Sequence, residues 1–117
     1  MTGFIEVAKV SDLDNGLMKK VVIGERSILL AKAQGRVYAT GTLCPDLQAD
    51  LSEGMLRGTV LTCPLHGSQF DIRDGHVLRW TDLSGTLRTY AAKALPPHPL
   101  PTYPVRIDKD RVLVDIG

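Results

Sequence analysis

Two short segments, Cys44-Pro45-Asp46 and Cys63-Pro64-Leu65-His66-Gly67, restrict this chain more than any other feature. They hold its only two cysteines, and each cysteine is followed within three residues by a second side chain able to bind a metal. Sixteen residues separate Asp46 from Cys63. Two loops of this kind pinch a metal or an iron–sulfur centre between them. A Cys44–Cys63 disulfide is the plainer alternative. A cytosolic chain of this size rarely keeps one, and a disulfide requires neither the Pro nor the ligand-type residue that follows each Cys.

A length of 117 residues suits one compact domain, 1–117, and leaves little room for a second. Fourteen basic and thirteen acidic residues leave a formal net charge of +1. That balance argues against nucleic acid or an anionic membrane as partner. No apolar run approaches the roughly 20 residues of a membrane span. The start, Met1-Thr2-Gly3-Phe4-Ile5-Glu6, lacks a basic segment followed by an apolar one, so a cytoplasmic protein without a signal peptide is expected.

Many short strands punctuated by Gly and Asp turns are predicted. Residues 4–10 alternate and read as a first strand, with a turn at Asp12-Leu13-Asp14-Asn15-Gly16. Residues 19–23 and 27–33 read as strands about Gly24-Glu25-Arg26, and Gln34-Gly35 turns into a strand at 36–40. In the middle, 55–57, 59–62 and 69–72 are short strands, with turn points at Gly54, Gly58 and Asp74-Gly75. Leu83, Leu87 and Ala91 recur at helical spacing, which predicts a short helix within 80–95, although Gly85 and the Thr residues work against it. The run Pro96-Pro97-His98-Pro99-Leu100-Pro101 must be a stiff extended loop. Residues 102–108 and 111–115 close the chain as a hairpin about Lys109-Asp110. Strands at this spacing predict an all-β antiparallel sandwich or small barrel, with the metal-type residues in a small inserted subdomain at about 43–77.

The second loop continues as Ser68-Gln69-Phe70-Asp71. Cys-x-x-His lets Cys63 and His66 reach one centre from a tight turn. Gly67 lets the backbone fold back, and its amide can face an anionic group. Ser68 is placed to donate a hydrogen bond to a sulfur, which raises a reduction potential, while Phe70 and Ile72 shield one side from water.

These residues resemble the Rieske [2Fe–2S] signature, Cys-x-His…Cys-x-x-His, in which one iron takes two Cys and the other two His. The first loop also resembles that family: Cys44-Pro45 is followed by a stretch ending Leu51-Ser52-Glu53-Gly54. The proline run is similar to the loop that covers the cluster in the family. The resemblance implies a Rieske-like fold and a ferredoxin that passes one electron at a time from a flavin-dependent reductase to the oxygenase component of a ring-hydroxylating dioxygenase. High-potential members carry an extra Cys pair, which this chain lacks, so it looks like the ferredoxin branch and a monomer. By the same resemblance Cys44 and Cys63 bind the inner iron and His66 the outer one. Asp46 stands where the second imidazole belongs, and Ser68 lies beside the cluster.

Asp46 is a competent but harder ligand than imidazole. It adds one negative charge, so reduction should become harder and the potential lower than in a His-containing relative. Three readings stand open. Asp46 ligates and tunes an intact cluster; another group completes the site, with His98 the candidate; or no stable cluster forms. In the last case the site holds Zn²⁺ on two Cys, one His and one Asp, or nothing, and the chain is a binding or structural module. His76 reads as a turn-flanking residue, Trp80 and Tyr103 as packing residues. Asp46, Asp50, Glu53, Asp71 and Asp74 form either a docking patch or a solvated rim. No triad, phosphate loop or catalytic carboxylate pair is evident, so the chain is expected to carry electrons and not to be an enzyme itself.

Overall fold

The computed structural model describes residues 3–45, 49–64, 67–79 and 99–116. Their strands are β1 (Ile5–Lys9), β2 (Met18–Ile23), β3 (Arg26–Ala33), β4 (Arg36–Gly41), β5 (Met55–Arg57), β6 (Val60–Thr62), β7 (Gln69–Asp71), β8 (Val77–Arg79), β9 (Thr102–Tyr103), β10 (Val105–Asp108) and β11 (Arg111–Val114). They form three sheets, ordered β1-β11-β10, β2-β3-β4-β9 and β5-β6-β7-β8, and every pairing between strands is antiparallel. The all-β expectation holds. The helix expected within 80–95 falls outside the described residues.

Local chemistry accounts for the hairpins. β3 and β4 meet across the two-residue turn Gln34-Gly35, and both turn residues take left-handed φ, +54° and +78°. That pairing of signs matches the right-handed twist of the flanking strands. Two-residue turns also join β2 to β3 and β10 to β11, at the positions the sequence indicates.

The apolar run Ile28-Leu29-Leu30-Ala31 lacks the polar alternation of a half-buried strand. The reason is that β3 is buried on both faces. Ile28 and Leu30 join Leu13, Ala39, Val112 and Val114 in a core against the β1-β11-β10 sheet. Leu29, Ala31 and Ala33 join Leu51, Leu61, Phe70, Ile72, Leu100 and both cysteines in a second core beneath the β5-β6-β7-β8 sheet. Each fully buried Leu, Ile or Phe contributes about 1.5–3 kcal/mol relative to an exposed one.

Two elements depart from expectation. The stretch 102–108 is not one strand. Pro104 has no N–H to donate and divides it, so β9 pairs with β4 while β10 pairs with β11. β8 has little apolar alternation of its own and forms as the edge partner of β7.

Gly75 carries the contact between the turn after β7 and the segment leading into β9. Its φ is +80°, Leu100 N–H donates to its carbonyl at 2.8 Å, and an added Cβ would lie 1.9 Å from Leu100 O. Gly75→Ala is therefore expected to cost at least about 2 kcal/mol, combining left-handed strain with a backbone clash. Gly41→Ala, whose Cβ would meet only Pro101 ring atoms at 3.7 Å, should stay within about 1 kcal/mol. Denaturant unfolding of the two variants checks the contrast.

Candidate metal centre

The two cysteine loops are closed by the same backbone device. In the first, Cys44 N–H donates to Ala49 O at 2.8 Å, beside an isolated bridge between Leu43 and Asp50. In the second, Cys63 N–H donates to Ser68 O at 2.7 Å. Each bond joins positions five apart in sequence, so the two loops are alike in backbone closure although their sequences differ. Gly67, at φ +75°, completes the second turn with a bond from its N–H to Cys63 O at 3.2 Å.

Each loop is fastened at its base. Leu51 N–H donates to Thr42 O at 2.8 Å, and the Thr42 hydroxyl bonds the Ser27 hydroxyl on β3 at 2.9 Å. Asp50 accepts from Ser52 N–H at 2.9 Å and from the Ser52 hydroxyl at 2.6 Å, and Lys20 lies 3.3 Å from its other oxygen. The Ser52 bonds hold the Asp50 carboxyl below its ordinary pKa. The second loop runs into β7, where Phe70 is fully buried.

Cys44 and Cys63 are not joined in a disulfide, are 0 % and 2 % exposed, and share one core with Leu51, Leu61, Phe70 and Ile72. The disulfide alternative is thereby set aside. Reduced, buried sulfurs on two like loops, in apolar surroundings, suit a group that needs thiolates kept from water. Ser68 is also fully buried. Phe70 and Ile72 pack where the sequence places them, as a shield. Asp46 and His66 lie outside the described residues, as do Trp80 and His98. Among the described residues no three His, Cys, Asp or Glu side chains gather into a metal site.

The acidic rim is corrected in one respect. Asp71 is buried, 3 % exposed, and takes no part in a surface patch. Its carboxylate accepts from Arg73 N–H at 2.9 Å and grips the Arg73 guanidinium at 2.6–3.1 Å. Its carbonyl receives Gly75 N–H at 2.7 Å. Asp74 is engaged by His76, with Nδ1 to Oδ1 at 2.5 Å, which agrees with the turn-flanking role read for His76. Tyr103 is half-buried and packs in the core beneath the first sheet, with the Arg26 guanidinium 5.9 Å from its ring centre. The Asp71 clamp was legible in principle: Asp71-Ile72-Arg73-Asp74-Gly75 is an Asx-turn composition, but its burial is not a local property.

The Arg73 side-chain bond is the largest influence holding the Asp71 carboxyl below its ordinary value of 3.8, against the opposing effect of burial. A depressed folded pKa stabilises the fold above the unfolded value and loses that contribution as pH falls through the folded one. Asp71→Ala should therefore cost about 1–3 kcal/mol at neutral pH. The gap to the unsubstituted chain should narrow below about pH 4, as measured by urea unfolding across pH.

A family model described as the Rieske [2Fe-2S] domain matches residues 3–104. The ferredoxin component of a naphthalene 1,2-dioxygenase system from Pseudomonas putida is 31% identical over 114 residues, covering 97% of this chain and 96% of that protein. Among solved structures, a ferredoxin of Sphingomonas yanoikuyae B1 aligns with a TM-score of 0.77 at 26% identity, covering 98% of this chain and all of that one. A chain from a complex of reduced oxygenase and oxidized ferredoxin in carbazole 1,9a-dioxygenase aligns with a TM-score of 0.75 at 26% identity, covering 96% and 92%.

Proposed function

The chain belongs to the Rieske [2Fe-2S] domain family, and from that premise we propose that it is the ferredoxin component of an oxygenase system, taking single electrons from a flavin-dependent reductase and delivering them to the oxygenase. The observation that carries this reading is the pair of reduced, buried cysteines on two loops closed by the same backbone bond. We read 1–117 as one domain and about 43–77 as its cluster-binding subdomain, acting as a monomer. A reducing cytoplasm is the setting in which two reduced thiols stay available for iron.

Three of the four donors are those of the family's signature: Cys44 and Cys63 would supply thiolates and His66 an imidazole, while Asp46 would place a carboxylate at the position of the signature's first His. When bound, a [2Fe–2S] centre takes up and releases one electron without making or breaking a substrate bond. The protein's own contribution is to hold the two thiolates in place and dry. Leu51, Leu61, Phe70 and Ile72 exclude water behind them. Ser68 would donate its hydroxyl to a sulfur and spread its negative charge. Asp46 works in the opposite sense, since a carboxylate adds a charge that a neutral imidazole does not.

Iron, zinc and acid-labile sulfide are to be measured on anaerobically purified protein, with an EPR spectrum after dithionite reduction. Two irons and two sulfides per chain support the carrier. Zinc without sulfide, or no metal, overturns it in favour of a Zn-containing or cluster-free binding module. Cys44→Ser and Cys63→Ser should each abolish sulfide retention. Asp46→His should raise the midpoint potential, and an equal or lower value would show that the added charge does not reach the iron. Ser68→Ala should lower it by roughly 40 mV, the one-electron equivalent of one net hydrogen bond, read by spectroelectrochemical titration.

A further inference from the structure

Beside β4 the surface opens into a cleft of about 700 Å³. Residues 36–38 of β4 form one wall, Ile72 and Arg73 at the end of β7 another, and Val105 and Ile107 of β10 a third. β4 leads from this cleft towards the first cysteine loop. At about 3.3 Å per residue its two ends are roughly 16 Å apart.

The hairpin register determines what the wall presents. Ala33 pairs with Arg36 across the two-residue turn, so Arg36, Tyr38 and Thr40 exchange backbone bonds with β3. The alternate residues Val37, Ala39 and Gly41 direct their backbone groups to the other side. Ala39 meets Tyr103 there, and Gly41 N–H reaches Pro101 O at 2.9 Å. β9 ends at that point, and Val37 has no strand partner on that side among the described residues. Its N–H is turned away from β3.

Charge and surface point the same way. Arg36 is exposed, and among the described residues its guanidinium has neither an ion-pair nor a hydrogen-bond partner. Arg73 is already committed to Asp71. Ile107 leaves 48 % of its surface exposed, and the Tyr38 side chain is only half-buried. Among the described residues, a cation without a partner and a backbone N–H turned away from β3, beside apolar and aromatic walls, match an anionic head on a flat apolar body. The volume falls within the range of small-ligand pockets, about 300–1,000 Å³. We propose that this cleft binds a small aromatic carboxylate, with the carboxylate on Arg36 and the ring against Tyr38 and Ile107. An extended peptide is the other occupant an open strand edge can take. Among the described residues, 36–38 alone lack a second strand partner at this edge, and their single outward-facing residue offers too few backbone bonds to hold one.

The test is titration of the full chain with 2-naphthoate and, separately, with uncharged 2-naphthamide, followed by calorimetry and backbone-amide NMR. The expected result is saturable one-to-one binding of 2-naphthoate, with shifts centred on Val37 and Ile107. Affinity should fall about tenfold or more for the amide and for Arg36→Gln, the loss of one charge-assisted contact. Arg57→Gln, on β5 and outside the cleft, should bind as the unsubstituted chain does. No saturation at millimolar concentrations overturns the proposal, as does binding that Arg36→Gln leaves unchanged. Shifts at Val37 on addition of an acidic pentapeptide, with none from 2-naphthoate, would replace the small ligand by a peptide.

Discussion

The structure depends on one strand being buried on both faces. β3 is the shared wall of two cores, with Ile28 and Leu30 facing one and Leu29, Ala31 and Ala33 facing the other. Because side chains alternate with a period of two, a slip of one residue would exchange every contact on both sides at once. The Ala33–Arg36 turn fixes that register from one end. Everything attached to β3 inherits its placement: the sheet that holds it, the cysteine loops on one face and the β1-β11-β10 sheet on the other.

The cysteines follow from this arrangement. They are core residues as much as candidate ligands, packed with the same Leu and Phe side chains that stabilise the second core. Stability and site formation are therefore coupled, and the loops cannot open without exposing apolar surface. The carboxylates near the loops divide by environment. Asp50, Asp71 and Asp74 are each satisfied by a local partner and serve to shape turns. Asp46 is set apart by its place in the sequence, two residues after Cys44.

Much of this was legible in the residues. Gly24-Glu25, Gln34-Gly35 and Lys109-Asp110 gave the hairpins because turn chemistry is short-range. The Cys-Pro motifs gave the donor types and their presence on loops. What escaped was long-range. Pro104 divides one apparent strand between two sheets, β8 forms only as an edge partner, and Gly75 is required by a carbonyl from Leu100, far along the chain. Asp71 read as a rim residue because its composition is that of a turn, while its burial depends on the core beneath it.

The sequence by itself determined turn types, strand alternation and the chemical identity of the donors, all of which rest on backbone sterics and side chains within a few residues of each other. Tertiary structure alone decided that the two cysteines share a core and that three residues of β4 are left without a strand partner on one side among the described residues. It also placed Arg36 beside an apolar cleft. Those outcomes depend on which strands pair and where each pairing stops. Pairing is settled by the burial of surfaces distant in sequence, and no local pattern encodes it.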